Sequence, residues 1–177
     1  VTDSGTLAVT GATTISASGQ DITLDQGAST FGTLSLTGVN VAVTDAGATD
    51  LGASTVSGTL GITSAGAVTD SGTLAVTGAT TISASGQDIT LDESASTFGS
   101  LLLTGANVAV TDAGAVDLGA STVSGTLGIT SAGAVTDSGT LAITGATTIS
   151  ASGQDITLDQ SASTFGTWSL TGAKQAM

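Results

Sequence analysis

Residues 1–67 and 68–134 are identical at 61 of 67 positions, and a third copy opens at Val135. This repetition constrains the fold more than any motif does. Each copy must meet the next through surfaces present in every copy, which is the logic of stacked repeats rather than of one core around one cleft. The six differences are Gln26/Glu93, Gly27/Ser94, Thr33/Ser100, Ser35/Leu102, Val39/Ala106 and Thr49/Val116. The third copy departs at its end: Trp168 replaces Leu34 and Leu101, and Ala-Lys-Gln-Ala-Met closes the sequence where Ala-Asn-Val-Ala-Val is expected. The expected organisation is one continuous array, with repeat 1 at 1–67, repeat 2 at 68–134 and a partial repeat 3 at 135–177 with a divergent end. Because the sequence opens in mid-pattern at Val1, it reads as a piece of a longer array.

Within a copy the apolar residues alternate. Leu7 and Val9 share a face, as do Ile22 with Leu24, Leu34 with Leu36, and Val39, Val41 and Val43. Leu51, Val56, Leu60 with Ile62, and Val68 continue the series. Period-two runs of about three to five residues, punctuated by Gly, Ser, Asp or Asn, predict short β-strands and no helix. Such a strand cannot bury its apolar face alone. Coiling the chain so that each turn stacks on the last gives every strand parallel neighbours about 4.8 Å away and encloses a continuous apolar column.

A finer repeat sets the expected turn. Ser-Gly-Thr-Leu-Ala-Val-Thr-Gly at Ser4 returns as Phe-Gly-Thr-Leu-Ser-Leu-Thr-Gly at Phe31 and as Ser-Gly-Thr-Leu-Gly-Ile-Thr-Ser at Ser57. The fold class expected is therefore all-β: a parallel β-helix (β-solenoid) of three sides, with about three rungs per repeat and an average rung of roughly 22 residues. The absence of Pro fits, because a parallel ladder uses N–H groups from nearly every rung. Phe31, Phe98 and Phe165 recur at one place in the period and read as inward wedges at a wider corner. A string of immunoglobulin-like modules fits less well. One copy is short beside the roughly 100 residues of such a sandwich, and the first two copies have no core Trp.

Composition removes several functions. With 14 acidic residues against a single Lys, the formal charge of −13 opposes nucleic acid and anionic membrane, both of which prefer basic surfaces. There is no Cys for disulfides or thiolate metal sites. No apolar run approaches the roughly 20 residues of a spanning helix, so no membrane insertion of this segment is expected. No basic stretch with an apolar segment behind it opens the chain as a signal peptide would. His, Tyr and Arg are also absent, which removes most nucleophile–base arrangements, and no phosphate-binding loop occurs. The chain is not expected to be an enzyme.

The acids are the remaining chemistry. Asp21 with Asp25, repeated as Asp88 with Asp92 and Asp155 with Asp159, are the candidate metal ligands, because Ca²⁺ takes carboxylate and carbonyl oxygens and Asp near Gly at a corner supplies both. As a glycosidase pair they lack an aromatic platform and would recur needlessly in identical copies. The nonapeptide Ca²⁺ pattern of solenoid toxins is absent. Asp3, Asp45, Asp50, Asp70, Asp112, Asp117 and Asp137 read as turn residues bonding local backbone. An ice-templating lattice would want the same Thr-x-Thr on every rung, whereas Thr10 and Thr13-Thr14 are scattered.

The phrases SGTLAVTGATTISASGQDITLD, GTLSLTGVNVAVTDAGATDLGAS and SGTLGITSAGAVTDSG resemble the repeat regions of filamentous-haemagglutinin-like proteins, large exoproteins and adhesins of Gram-negative bacteria. The resemblance spans residues 1 to 172. It implies a right-handed coil, a handedness that general chirality also favours, and an extracellular or cell-surface, outer-membrane-attached location. It further implies the role of a structural stalk that holds a distal binding region of an adhesin away from the cell. The alternative is a self-associating fibre or biofilm-matrix polymer, with Ca²⁺-dependent assembly. The expected partners are the neighbouring repeats of the same chain, with homotypic association in the alternative.

Overall fold

The computed structural model describes residues 1–176, and those residues form strands and turns with no helix, so none is long and apolar enough to cross a membrane. Met177, the last residue of the divergent end, lies outside the described residues. The strands pair in parallel, and together they make one coil. The β-solenoid expected from the alternation is the fold.

Two ladders run its whole length. The first stacks β2 (Ile22–Leu24), β4 (Val41–Asp45), β7 (Leu60–Ser64), the second half of β9 (Leu74–Ser83) and most of β11 (Thr97–Gly105). It continues through β13 (Val116–Leu118), β16 (Val135–Asp137), β19 (Ile156–Thr157) and β21 (Gln175–Ala176). The second stacks β1 (Thr13–Ser16), β3 (Thr33–Gly38), β5 (Thr49–Leu51), β8 (Val68–Asp70) and β10 (Ile89–Leu91). It continues through β12 (Val108–Asp112), β15 (Leu127–Ser131), β18 (Ala146–Ala151) and β20 (Thr167–Gly172).

A third side is shorter and starts afresh. Above the end of β3 stands β6 (Ser54–Val56), followed by the first halves of β9 and β11. Above the end of β11 stands β14 (Ser121–Val123), followed by β17 (Leu141–Ile143) and a bridge from Ala142 to Thr164. One turn of chain thus visits three sides in order, as β4, β5 and β6 do.

About three turns per copy is what the coil makes, with the steps of the first ladder shorter than those of the third side, where Ala75 pairs with Thr97. From Ile22 the first ladder climbs through Val41, Leu60, Thr80, Leu101, Leu118 and Asp137, and every one of these steps is shorter than the expected rung. Three turns carry the chain from Ile22 to Thr80, and the rest of the period carries it on to Ile89 on the other ladder. Each copy therefore makes three turns and a further side. β2, β10 and β19 are the same segment of successive copies, and they lie in the first, the second and again the first ladder.

The core tolerates this alternation because its inward residues are interchangeable. Leu, Ile and Val stack on one another along most of the column, and Ile22, Leu34, Val56, Leu74, Ile89, Leu101, Val123 and Ile149 are completely buried. Each side chain buried in this way contributes on the order of 1.5–3 kcal/mol. Phe31 and Phe98 are buried in the core, as wedges should be, and Phe165 packs against its edge. Val39 departs from expectation. It sits half-buried in a bend, and its strand begins at Val41.

One corner recurs with a fixed geometry. Gly19, Gly86 and Gly153 have φ of 75°, 74° and 78° and are the chain's only positive-φ residues among those described. The N–H of Gln20 donates to the carbonyl of Ala17 at 2.9 Å, closing a four-residue turn whose third residue must take positive φ, the requirement of a type II turn.

Candidate functional site

The polar chemistry of the chain is gathered at the corners of the coil. Asp21 and Asp25 flank β2 at its opposite ends and are both exposed. Such a separation along extended chain puts their Cα atoms about 13 Å apart, whereas carboxylates sharing one Ca²⁺ must each bring an oxygen within about 2.5 Å of it. The same holds for Asp88 with Asp92 across β10 and for Asp155 with Asp159 across β19. The structure does not bring the members of these pairs together. Among the described residues no three acids gather as a metal-binding group.

Two of the six, Asp21 and Asp88, instead hold a neighbouring turn. The Asp21 carboxylate accepts the backbone N–H and the side-chain amide of Asn40, both at 3.0 Å. Asn40 in turn accepts, on its Oδ1, the N–H and the hydroxyl of Thr59 at 3.1 Å. Asp88, Asn107 and Thr126 repeat this bridge at the same distances, now beside the second ladder. Three turns are thereby joined at one corner. In the third copy Lys174 occupies the place of Asn40.

Asp3, Asp70 and Asp137 also reach across turns rather than bonding local backbone as expected. Asp70 accepts the N–H of Asp92 at 2.8 Å and of Glu93 at 3.4 Å, and Asp137 does the same for Asp159 and Gln160. Asp3 accepts the N–H of Asp25 at 3.2 Å. Burial pushes the Asp70 carboxyl above its usual range; the two N–H donors oppose this, and the carboxylates of Asp92 and Glu93 reinforce it. Asp50 binds hydroxyls above and below, Thr33 at 2.7 Å and Ser71 at 2.8 Å, and Asp117 holds Ser138 at 2.7 Å.

Only Asp45 and Asp112 make the local turn that the sequence suggested, accepting the N–H of Gly47 at 2.8 Å and of Gly114 at 2.6 Å. Both are buried. The hydroxyl of Thr49 lies 3.3 Å from Asp45, while in the second copy, where Val116 replaces Thr49, Asp112 takes the N–H of Phe98 at 3.1 Å. Burial raises the Asp112 carboxyl above its ordinary value, opposed by the N–H groups of Gly114 and Phe98.

Sequence reasoning missed two sets of residues. Asn40 and Asn107 were legible only as punctuation, although an amide can donate to the turn below and accept from the turn above. The inward corner serines were also missed. The hydroxyls of Ser54 and Ser121 accept the N–H of Leu36 and Leu103 at 2.9 and 3.0 Å and donate to the carbonyls of Gly52 and Gly119. Thr13, Thr80 and Thr147, equivalent in the three copies, carry hydroxyls with no hydrogen bond, and Thr80 and Thr147 are completely buried.

No cleft or cavity opens among the described residues. What the corners do chemically is to satisfy backbone and carboxylate groups from one turn to the next. Residues 1–37, 38–104 and 105–171 match the model of a family described as repeats of unknown function (DUF5649). No curated protein and no solved structure matches the chain.

Proposed function

The chain belongs to that family of repeats, and on this premise we propose that it is a length-setting rod, the stalk of a large bacterial surface or secreted adhesin. In this reading the rod holds a distal binding region away from the cell. The observation that carries the reading is the unbroken stacking: two ladders run from the first turns to the last, and polar side chains are used to join turns rather than to line a site. A rod of this kind lengthens by whole copies. From β2 to its equivalent β19, two copies on, the first ladder climbs seven steps. At about 4.8 Å per step, one copy adds roughly 17 Å. The surface location and the adhesin context rest on the filamentous-haemagglutinin-like character of the sequence.

The acidic surface supports a solitary shaft, since like-charged rods repel one another at low salt. Sedimentation velocity and negative-stain images in Ca²⁺ and in chelator test the reading. A monomeric rod in both is the expected result. Lateral bundles that form only with Ca²⁺ would replace the stalk by a matrix polymer, and a compact particle would remove both.

A further inference from the structure

The turn made by residues 163–176 is seated on the turn beneath it like any other. β20 pairs with β18 in register over six residues, from Ala146↔Thr167 to Ala151↔Gly172. β21 pairs with β19, and the N–H of Ile156 donates to the carbonyl of Lys174 at 2.8 Å. Its sequence departures fall on residues that, in the other copies, receive the turn above.

Three positions show this. Leu34 and Leu101 are completely buried, each stacked under a leucine of the next turn, Leu51 and Leu118. Trp168 stands in their place. It is 45% exposed and stacks on Phe165 with ring centroids 5.3 Å apart, a bulky aromatic pair at the position that in the other copies receives a leucine of the next turn. Asn40 and Asn107 accept the N–H and hydroxyl of Thr59 and Thr126 from the turn above. Lys174 at that position carries donors only and cannot accept them. Val41 and Val108 are buried under Leu60 and Leu127. Gln175 is exposed there, and its Nε2 donates to the carbonyl of Leu170 at 3.2 Å; a leucine laid over it would bury this amide with no donor for its Oε1.

We propose that this is a stop turn: it docks normally on the solenoid below and refuses a further turn of the same repeat. An open strand edge otherwise recruits more strands, and charged or misfitting side chains are how proteins blunt such edges. The proposal concerns the residues of the turn and holds whatever sequence follows it.

The test appends a second copy of residues 44–134 after Met177, which is where the repeat would continue. One version keeps Trp168, Lys174 and Gln175, and the other carries Trp168→Leu, Lys174→Asn and Gln175→Val. Restoring the residues of the other copies carries little folding risk. Limited proteolysis with an enzyme that cuts beside apolar residues, together with denaturant unfolding, reads out both. The unaltered junction should be cut at least about tenfold faster, as expected of a locally open segment, and should unfold in two steps. The restored chain should be protected and unfold in one. Equal protection of the two junctions, or equal cleavage, would overturn the proposal.

Discussion

Ile22 and Ile89 hold the same place in consecutive copies, yet they face different sides of the coil: Ile22 lies under Val41 in the first ladder, and Ile89 lies between Val68 and Val108 in the second. A feature repeated in every copy therefore changes ladder from one copy to the next and returns after two, as Ile156 does. Cysteine pairs carrying spin labels report this directly. Ala42 has Thr81 two turns above it, whereas its equivalent Ala109 stands two turns above Thr69 on the other ladder. Labels on Ala42→Cys with Thr81→Cys, and on Ala109→Cys with Thr69→Cys, should both report backbones about 10 Å apart. A long or broad separation for the second pair would contradict the change of ladder.

Thr80 lies in the core between Leu60 and Leu101 with an unpartnered hydroxyl. Valine has the same shape without the group that burial penalises, so Thr80→Val should raise stability by about 1 kcal/mol. A higher denaturant midpoint checks it. A lower one would mean that the hydroxyl has a partner after all.

The Asn bridge should be worth more than one exposed hydrogen bond, because it joins three turns. Asn107→Ala removes the amide donor to Asp88 and the acceptor of Thr126. A loss of about 1–2 kcal/mol is expected, with faster hydrogen exchange at the Thr126 amide. An unchanged amide would show that the bridge holds nothing.

Corner packing separates the nearby glycines Gly128 and Gly133. A Cβ on Gly133 would fall 2.6–2.8 Å from backbone atoms of Gly114 and Ala115 in the turn below, whereas one on Gly128 would meet nothing closer than 3.8 Å. Gly133→Ala should therefore cost about 1–3 kcal/mol, as overpacking against backbone does. Gly128→Ala, in a strand, should be close to neutral. Thermal unfolding of the two variants is the comparison, and equal costs would contradict the close stacking.

Protonation of Asp70 and Asp112 should stabilise the folded chain. Burial raises the carboxyls of Asp70 and Asp112 above the ordinary value of 3.8 that they regain on unfolding. A raised carboxyl binds its proton more tightly in the folded chain. Stability accordingly rises as pH falls through the folded pKa values towards 3.8, and levels off below. Lessening of the −13 charge acts in the same direction, and high salt removes that part. The denaturant midpoint in high salt should be greater near pH 4.5 than at pH 7, and the opposite order would contradict the burial of these acids.

The strands were legible because alternation survives in every copy: Ile22 with Leu24, Leu34 with Leu36, and Leu60 with Ile62 all point inward. The register of the turns was not legible. Any inward Leu, Ile or Val can stack on any other, so the sequence carries no mark that Ile22 belongs under Val41 rather than under a residue at the average spacing of the finer repeat. Corners add to the ambiguity, since they differ in length and the register slips between Phe98 and Ser100. The acids were visible as corner residues, but their partners were not. Those partners come from the next turn, as Asn40 does for Asp21 and Asp92 for Asp70, and can be identified only once the register is known.

The most direct test inserts one further copy of residues 68–134 between Ala134 and Val135 and compares the two rods by small-angle scattering and electron microscopy. The account predicts an unchanged width and about 17 Å of added length. An unchanged length, or an added bead on a flexible joint, would contradict a continuous solenoid.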